Sequence, residues 1–151
     1  MNKEENSEKK DKLWSTNELM EQIKKSPVYF SRKIADGDFL KGITLSDYLW
    51  QLMEKQNMTM VEIVLNSLLS KSYVYQVFNG ERMPGRDVLL RIGISMSCSV
   101  DELQQLLNLG QLGKLYPKVK RDAAILCCVC QEFSLEETNE FLESIGERTL
   151  L

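Results

Sequence analysis

Apolar residues recur along this chain at three- and four-residue intervals, in short runs that open on Ser or Thr and close on Gly or Pro, and nowhere do they alternate over a sustained stretch. That pattern predicts an all-α protein. The clearest run follows Thr44: Leu45, Tyr48, Leu49, Leu52 and Met53 form one core-facing stripe of a helix reaching about Gln56. Thr59 with Glu62 makes a T-x-x-E capping box for a short helix with Ile63 and Val64 inward, ending at Ser67-Leu68-Leu69. Ser70 caps a second short helix in which Val74, Val77 and Phe78 share a stripe, and Gly80 and Pro84 stop it. A helix from Arg86 to Met96 comes next. Ser99 with Glu102 then caps one whose Val100, Leu103, Leu106 and Leu107 point inward.

Both ends add helices. Ser15-Thr16-Asn17-Glu18 offers a capping box for a helix to about Lys25, ended by Ser26-Pro27. Val28, Tyr29, Phe30 and Ile34 suggest another, stopped at Asp36-Gly37. After a break at Gly110 and Gly113, Leu115-Tyr116-Pro117 leads into a helix ending near Cys130. Ser134 with Glu137 then caps a last one, with Leu135, Thr138, Phe141, Leu142 and Ile145 inward and a stop at Gly146. The organisation expected is a tail over 1–12, in which four lysines cancel four acids and no apolar face exists, a helical extension over 13–43, a central domain over 44–109, and a helical hairpin over 110–151. The hairpin's stripe is expected to exceed what the central bundle can cover, making it the candidate surface for a homodimer.

Composition changes this picture little. The 151 residues, 43% apolar and 27% charged, are those of an ordinary globular domain with a sizeable core. No apolar run approaches the roughly 18 residues of a membrane span and the N-terminus has no apolar signal core, so a cytoplasmic location without membrane association is expected.

Candidate chemistry is sparse, and an enzyme is not expected. There is no histidine, which removes the commonest general base and metal ligand together. No glycine-rich phosphate loop is present. Asp36-Gly37-Asp38 begins like a calcium loop, but the ligand pattern does not continue, and an ordinary turn is expected. Cys127 and Cys130 have C-x-x-C spacing, yet they lie in the apolar run AAILCCVC with no second pair, so the four cysteines are read as reduced core residues. Neither a metal nor another cofactor is expected.

Two helices of about eight residues joined by three or four cannot stand alone and need a supporting bundle. In spacing, Thr59, Ile63, Leu69, Ser70, Val74, Val77, Gly80 and Pro84 fall on T-Q-x-x-L-A-x-x-x-G-V-S followed by an apolar pair and G-x-x-x-P. The chain thereby resembles the lambda-repressor/Cro-like, or XRE, family over about residues 44–109. Met60 departs from the pattern where a phosphate-contacting glutamine is usual, and Leu68 where the turn glycine is usual; the second departure predicts a reshaped turn, because a left-handed backbone costs a non-glycine residue about 1 kcal/mol or more. The tail segments YPKVKRDA and LEETNEFL also look like those of some XRE-type proteins.

The resemblance implies a five-helix helix-turn-helix bundle and a sequence-specific transcriptional regulator that binds double-stranded DNA. It places the helix from Ser70 to Asn79 in a major groove, with Lys71 and Ser72 at its first positions, Gln76 one turn on, and Asn79 at a phosphate. The chemistry agrees, since glutamine can pair with adenine, lysine with guanine, and serine with either. Tyr73 and Tyr75 would contact sugars or thymine methyls, or in the case of Tyr75 cover a partner protein. Arg82 and Arg86 are the expected phosphate clamps. Charge follows the same division. Between Leu68 and Arg91, Lys71, Arg82, Arg86 and Arg91 outnumber Glu81 and Asp87. Between 114 and 122, Lys114, Lys118, Lys120 and Arg121 face Asp122 alone, whereas from Ala123 onward Arg148 alone faces six glutamates. An alternative of a different class is a helix-turn-helix bundle turned protein-interaction module without DNA binding, motivated by Met60, Leu68 and the modest charge of the reading face.

Overall fold

The computed structural model describes residues 15–28 and 42–151. The chain divides into two compact units, Met1–Ile43 and Thr44–Leu151. The tail over 1–12, the short helix expected around Tyr29, Phe30 and Ile34, and the Asp36-Gly37-Asp38 turn lie outside the described residues. Those described contain eight α-helices and no strand. In the first unit, α1 (Thr16–Ile23) starts at the expected box: Ser15 Oγ accepts the Glu18 N–H at 3.3 Å and the Glu18 carboxylate accepts the Ser15 N–H at 2.8 Å.

The second unit holds α2 (Leu45–Lys55), α3 (Met60–Ser67), α4 (Lys71–Phe78), α5 (Arg86–Ser95), α6 (Val100–Leu109), α7 (Lys120–Cys130) and α8 (Leu135–Ser144). Thr44, Thr59, Ser99 and Ser134 each close a capping box onto the residue three positions on, which satisfies amides that helices as short as these cannot leave orphaned. Most of the predicted stripe is buried, namely Leu45, Leu49 and Leu52 from α2, Ile63 from α3, Val74, Val77 and Phe78 from α4, and Leu103, Leu106 and Leu107 from α6, while Tyr48, Met53, Val64 and Val100 are half-buried. Helix α5 adds the buried Leu89 and Leu90, which no predicted stripe contains. Each buried side chain contributes about 1.5–3 kcal/mol by leaving water. At the contact of α5 with α6 a helical glycine makes room for the leucines of α6. A Cβ at Gly93 would lie 2.4 Å from Leu103 Cδ1 and 3.2 Å from Leu106 Cδ1, so its low helix propensity is the condition of that close approach.

Three expectations are corrected. The turn between α3 and α4 is not reshaped by Leu68; the leucine itself adopts the left-handed conformation, φ 57° and ψ 31°, that glycine would take. Arg91, reaching across from α5, donates from Nε to the Ser67 carbonyl at 3.1 Å and from Nη2 to the Leu68 carbonyl at 2.8 Å. Two charge-assisted bonds thus hold the end of α3 where the backbone is least favourable.

The cysteines are not all core residues. Cys98 and Cys128 are buried, whereas Cys127 and Cys130 are exposed. The inward face of α7 is set by Asp122, Ala124, Ile125 and Cys128, and i, i+3 spacing puts Cys127 and Cys130 together on the opposite side.

The hairpin's stripe, finally, is not in excess of what the bundle covers. Ile125, Leu135, Leu142 and Leu150 belong to the same buried cluster as Leu89 and Leu106, with α8 against α5 and α7 against α6. Gln104 on α6 joins the segments by donating to the Leu115 carbonyl and accepting its N–H.

Candidate nucleic-acid interface

Which side of α4 faces outward is decided by its other side. Val74, Val77 and Phe78 are fully enclosed, the Phe78 ring meets the Trp50 edge at 5.2 Å and 83°, and Ser46 Oγ donates to the Phe78 carbonyl. At 100° per residue this leaves Lys71, Ser72, Tyr75 and Asn79 exposed and Gln76 half-buried. Ser70 Oγ caps the helix by accepting the Tyr73 N–H at 3.3 Å. At the other end Gly80, with φ 75°, turns the chain so that the Glu81 and Arg82 amides both donate to the Gln76 carbonyl, at 2.9 and 3.2 Å. The return carries Arg82 back beside its own helix. Its guanidinium carbon stands 5.3 Å from the centroid of the half-buried Tyr73 ring, and Lys71 Nζ stands 5.9 Å from that of Tyr75. Both cations are therefore steadied by aromatic faces while remaining in water.

The predicted site residues fall into four places. Ser72, Tyr73, Gln76 and Arg82 line one shallow groove with Leu69, Ser70 and Val88. Lys71 and Tyr75 border a separate apolar pocket of about 100 Å³ with Met60, Val61, Val64 and Leu65. Asn79 is exposed at the helix end and belongs to neither. Met60, standing where the family pattern has its glutamine, is buried in the core.

Arg86 is elsewhere. Its Nη1 and Nη2 grip both oxygens of Asp122 at 2.9 and 2.8 Å, its Nε donates to the Gly113 carbonyl at 2.9 Å, and its Nη2 also reaches the Lys114 carbonyl at 3.1 Å. A guanidinium with four of its bonds made inside the protein has little left for a phosphate. Arg121 makes the reciprocal pair, gripping Asp87 at 2.9 and 3.0 Å and the carbonyls of Arg148 and Thr149, both at 2.9 Å. Burial would raise the Asp122 carboxyl, but Arg86, the Tyr116 N–H and Arg121 outweigh it and hold the group below its ordinary value. The Arg86 guanidinium is pushed up, chiefly by its bond to Asp122. The sequence does hold a signal for this arrangement: two Arg-Asp dipeptides, Arg86-Asp87 and Arg121-Asp122, in which each arginine pairs with the other's aspartate. Lys120 is tied as well, donating to the Ile145 carbonyl at 2.9 Å. Among the basic residues counted toward a nucleic-acid face, Lys71, Arg82, Lys114 and Lys118 make no ion pair with the described residues.

No described helix is long and apolar enough to cross a membrane, and the described residues hold no group of three or more His, Cys, Asp or Glu placed to bind a metal. Compared with protein-family models, with curated proteins and with solved structures, the chain matches none.

Proposed function

We propose that the chain is a sequence-specific double-stranded-DNA-binding regulator of the XRE type, in which α2 to α6 form the five-helix lambda-repressor-like bundle and α4 enters the major groove. The observation that carries this reading is the shared groove of Ser72, Tyr73, Gln76 and Arg82 along one of the sides of α4 that the core leaves open. A base-pairing amide, a small hydroxyl and a free guanidinium then meet one ligand at once, with Lys71 at the helix start beside them. Arg82 and Lys71 are the phosphate and base contacts; Arg86, held by Asp122 and by the Gly113 and Lys114 carbonyls, is not among them. Because a helix of eight residues spans few base pairs, two copies bind half-sites about 34 Å apart. The dimer uses what the hairpin leaves outside, including Tyr116 and Val119, which are exposed.

The test is a salt-dependent binding titration against a duplex selected from randomised DNA. Gln76→Ala should lose about 1–3 kcal/mol on the selected site and relax its sequence preference. Arg82→Ala should weaken binding to every sequence and lower the salt slope by about 1. Absence of salt-dependent binding by the intact protein would remove the proposal.

A second reading, an interaction module without DNA binding, is favoured by the outer face of α3. Val61, Leu65 and Leu68 are 64%, 66% and 59% exposed along one side of it, beside the apolar pocket that Tyr75 borders. Phosphate contacts come from basic and polar side chains, and these three positions supply none. Loss of a protein complex on changing Tyr75, with DNA binding absent, would select this reading.

A further inference from the structure

A groove of about 790 Å³ runs between the end of α3, the end of α5 and the length of α8, and its two sides differ in character. One side, from the ends of α3 and α5, exposes Leu65 and Leu68 beside the polar Asn66, Ser95 and Ser97, with Ile94 buried beneath. The opposite side is acidic, with Glu132, Glu136, Glu140 and Glu143 along it and no lysine or arginine anywhere in the lining. None of these four carboxylates makes an ion pair or hydrogen bond with the described residues. Acidic side chains exposed on a helix are ordinarily just solvated, but one further feature of the lining is not accounted for in that way. Asn139 is only 7% exposed; its Oδ1 accepts the Leu150 N–H at 2.7 Å, which fixes the orientation of the amide, and its buried Nδ2 has no acceptor among the described residues. An orphaned buried donor is uncommon, and a ligand carbonyl is one way to satisfy it.

We propose that this groove is the docking site for a cationic amphipathic helix of a partner protein. Its shape and charge dictate each part of that description. A ligand seated here meets leucines on one side and carboxylates on the other, so it must be apolar on one face and basic on the next, which is the pattern of a helix laid in a groove. Glu136, Glu140 and Glu143 stand at i, i+4 and i+7 on α8, one stripe about 10 Å long at 1.5 Å per residue. Lysines or arginines repeating at the same interval on a neighbouring helix meet them in register, and leucine-like anchors one face away meet Leu65 and Leu68. Nucleic acid is excluded from the same groove by the sign of its lining. The site borders Leu68 at the turn into α4, so its occupant would sit next to the reading helix without covering Gln76 or Arg82. This inference does not rest on the DNA reading, and its test contains no DNA.

The experiment is fluorescence anisotropy of the full chain with two synthetic helical peptides of about 15 residues, near the length at which a helix begins to hold in water. Both carry leucines at i, i+3 and i+7; one has lysines along the flank and the other glutamates. The lysine peptide should bind and weaken as salt is raised, and the glutamate peptide should not bind. The double substitution Glu136→Lys/Glu140→Lys should weaken the lysine peptide by about tenfold or more, since two attractions become two repulsions. Leu65→Asp should weaken it too, while Glu81→Lys, beyond the end of α4, should leave it unchanged. Thermal melts of Leu65→Asp and Glu81→Lys should stay close to that of the wild type, because both side chains are exposed, and the double variant should melt only slightly lower, from reversing the charge of Glu136 in the first turn of α8. Equal binding of both peptides, no binding of either, or an unaltered double variant overturns the proposal. So does self-association of the chain that the double variant abolishes, which would make a second copy the occupant.

Discussion

At Leu68 the side chain is exposed and the backbone is left-handed, so the residue gains little from its own packing while its conformation costs about 1 kcal/mol or more. Leu68→Gly should therefore be more stable than Leu68→Ala by about 1 kcal/mol in urea unfolding, because only glycine relieves the backbone. The compensating device is Arg91, and Arg91→Ala should cost about 1–3 kcal/mol by releasing the Ser67 and Leu68 carbonyls. The sequence shows Leu68 to be out of pattern, and nothing in it names Arg91 as the partner, since an arginine on an amphipathic helix looks the same whether it faces water or a carbonyl. The cysteines divide on similar grounds. Burial, with Glu102 nearby, pushes the Cys98 thiol up to about 12, and burial raises Cys128. A thiol reagent at mildly alkaline pH should label Cys127 and Cys130 in the folded protein, and Cys98 and Cys128 only after unfolding. Rapid labelling of all four without denaturant would contradict the placement of α7.

Between elements, the crossed pairs Arg86–Asp122 and Arg121–Asp87 fasten α5 to α7. Asp122 is 5% exposed, and Asp122→Asn would leave the Arg86 charge without its counter-ion, at a cost of about 2 kcal/mol, below the range for a fully buried pair because Arg86 is partly solvated. The pH dependence has a definite sign. The folded protein holds the Asp122 carboxyl below its ordinary value, so this contribution is fully present above the unfolded value of about 3.9 and is lost as pH falls through the depressed one. Glu102 acts in the same direction: burial would raise it, but its bonds from Ser99 and Lys55 prevail and lower it. Wild type should lose stability below about pH 4 more steeply than Asp122→Asn, and urea midpoints measured down the acid range should converge. The helices themselves were legible, because Thr44, Thr59, Ser99 and Ser134 announce their starts within three residues. The crossed pairs were not, because i, i+3 and i, i+4 rules see along one helix, and these arginines meet aspartates 36 and 34 residues away. From sequence Arg86 thus reads as a second phosphate clamp beside Arg82, and only the tertiary fold separates the two.

For the molecule as a whole, the break at Gly110 and Gly113 reads in the sequence as the end of a central domain with a hairpin appended, yet Thr44–Leu151 is one compact unit with one buried cluster. Composition cannot reveal this, since an amphipathic helix has the same stripe whether it covers a neighbour or awaits a partner. The consequence is testable by truncation. A chain stopped at Gly113 removes Leu115, Ile125, Leu135, Leu142 and Leu150 from the core, takes Asp122 from Arg86, and leaves Asp87 without Arg121. Five buried apolar side chains at about 1.5–3 kcal/mol each are together worth about as much as the roughly 5–15 kcal/mol by which a whole domain is stable. The truncated chain should therefore lose its cooperative thermal transition and bind a dye for exposed apolar surface, while the full chain melts in a single step. A truncated chain with a sharp transition near that of the full protein would mean that α2 to α6 fold alone and that the hairpin is an accessory. If the transition is lost, dimerisation cannot be tested by deleting the hairpin, and must instead be tested in the full chain by sedimentation of charge variants at Tyr116 and Val119, whose exposed positions leave the core untouched.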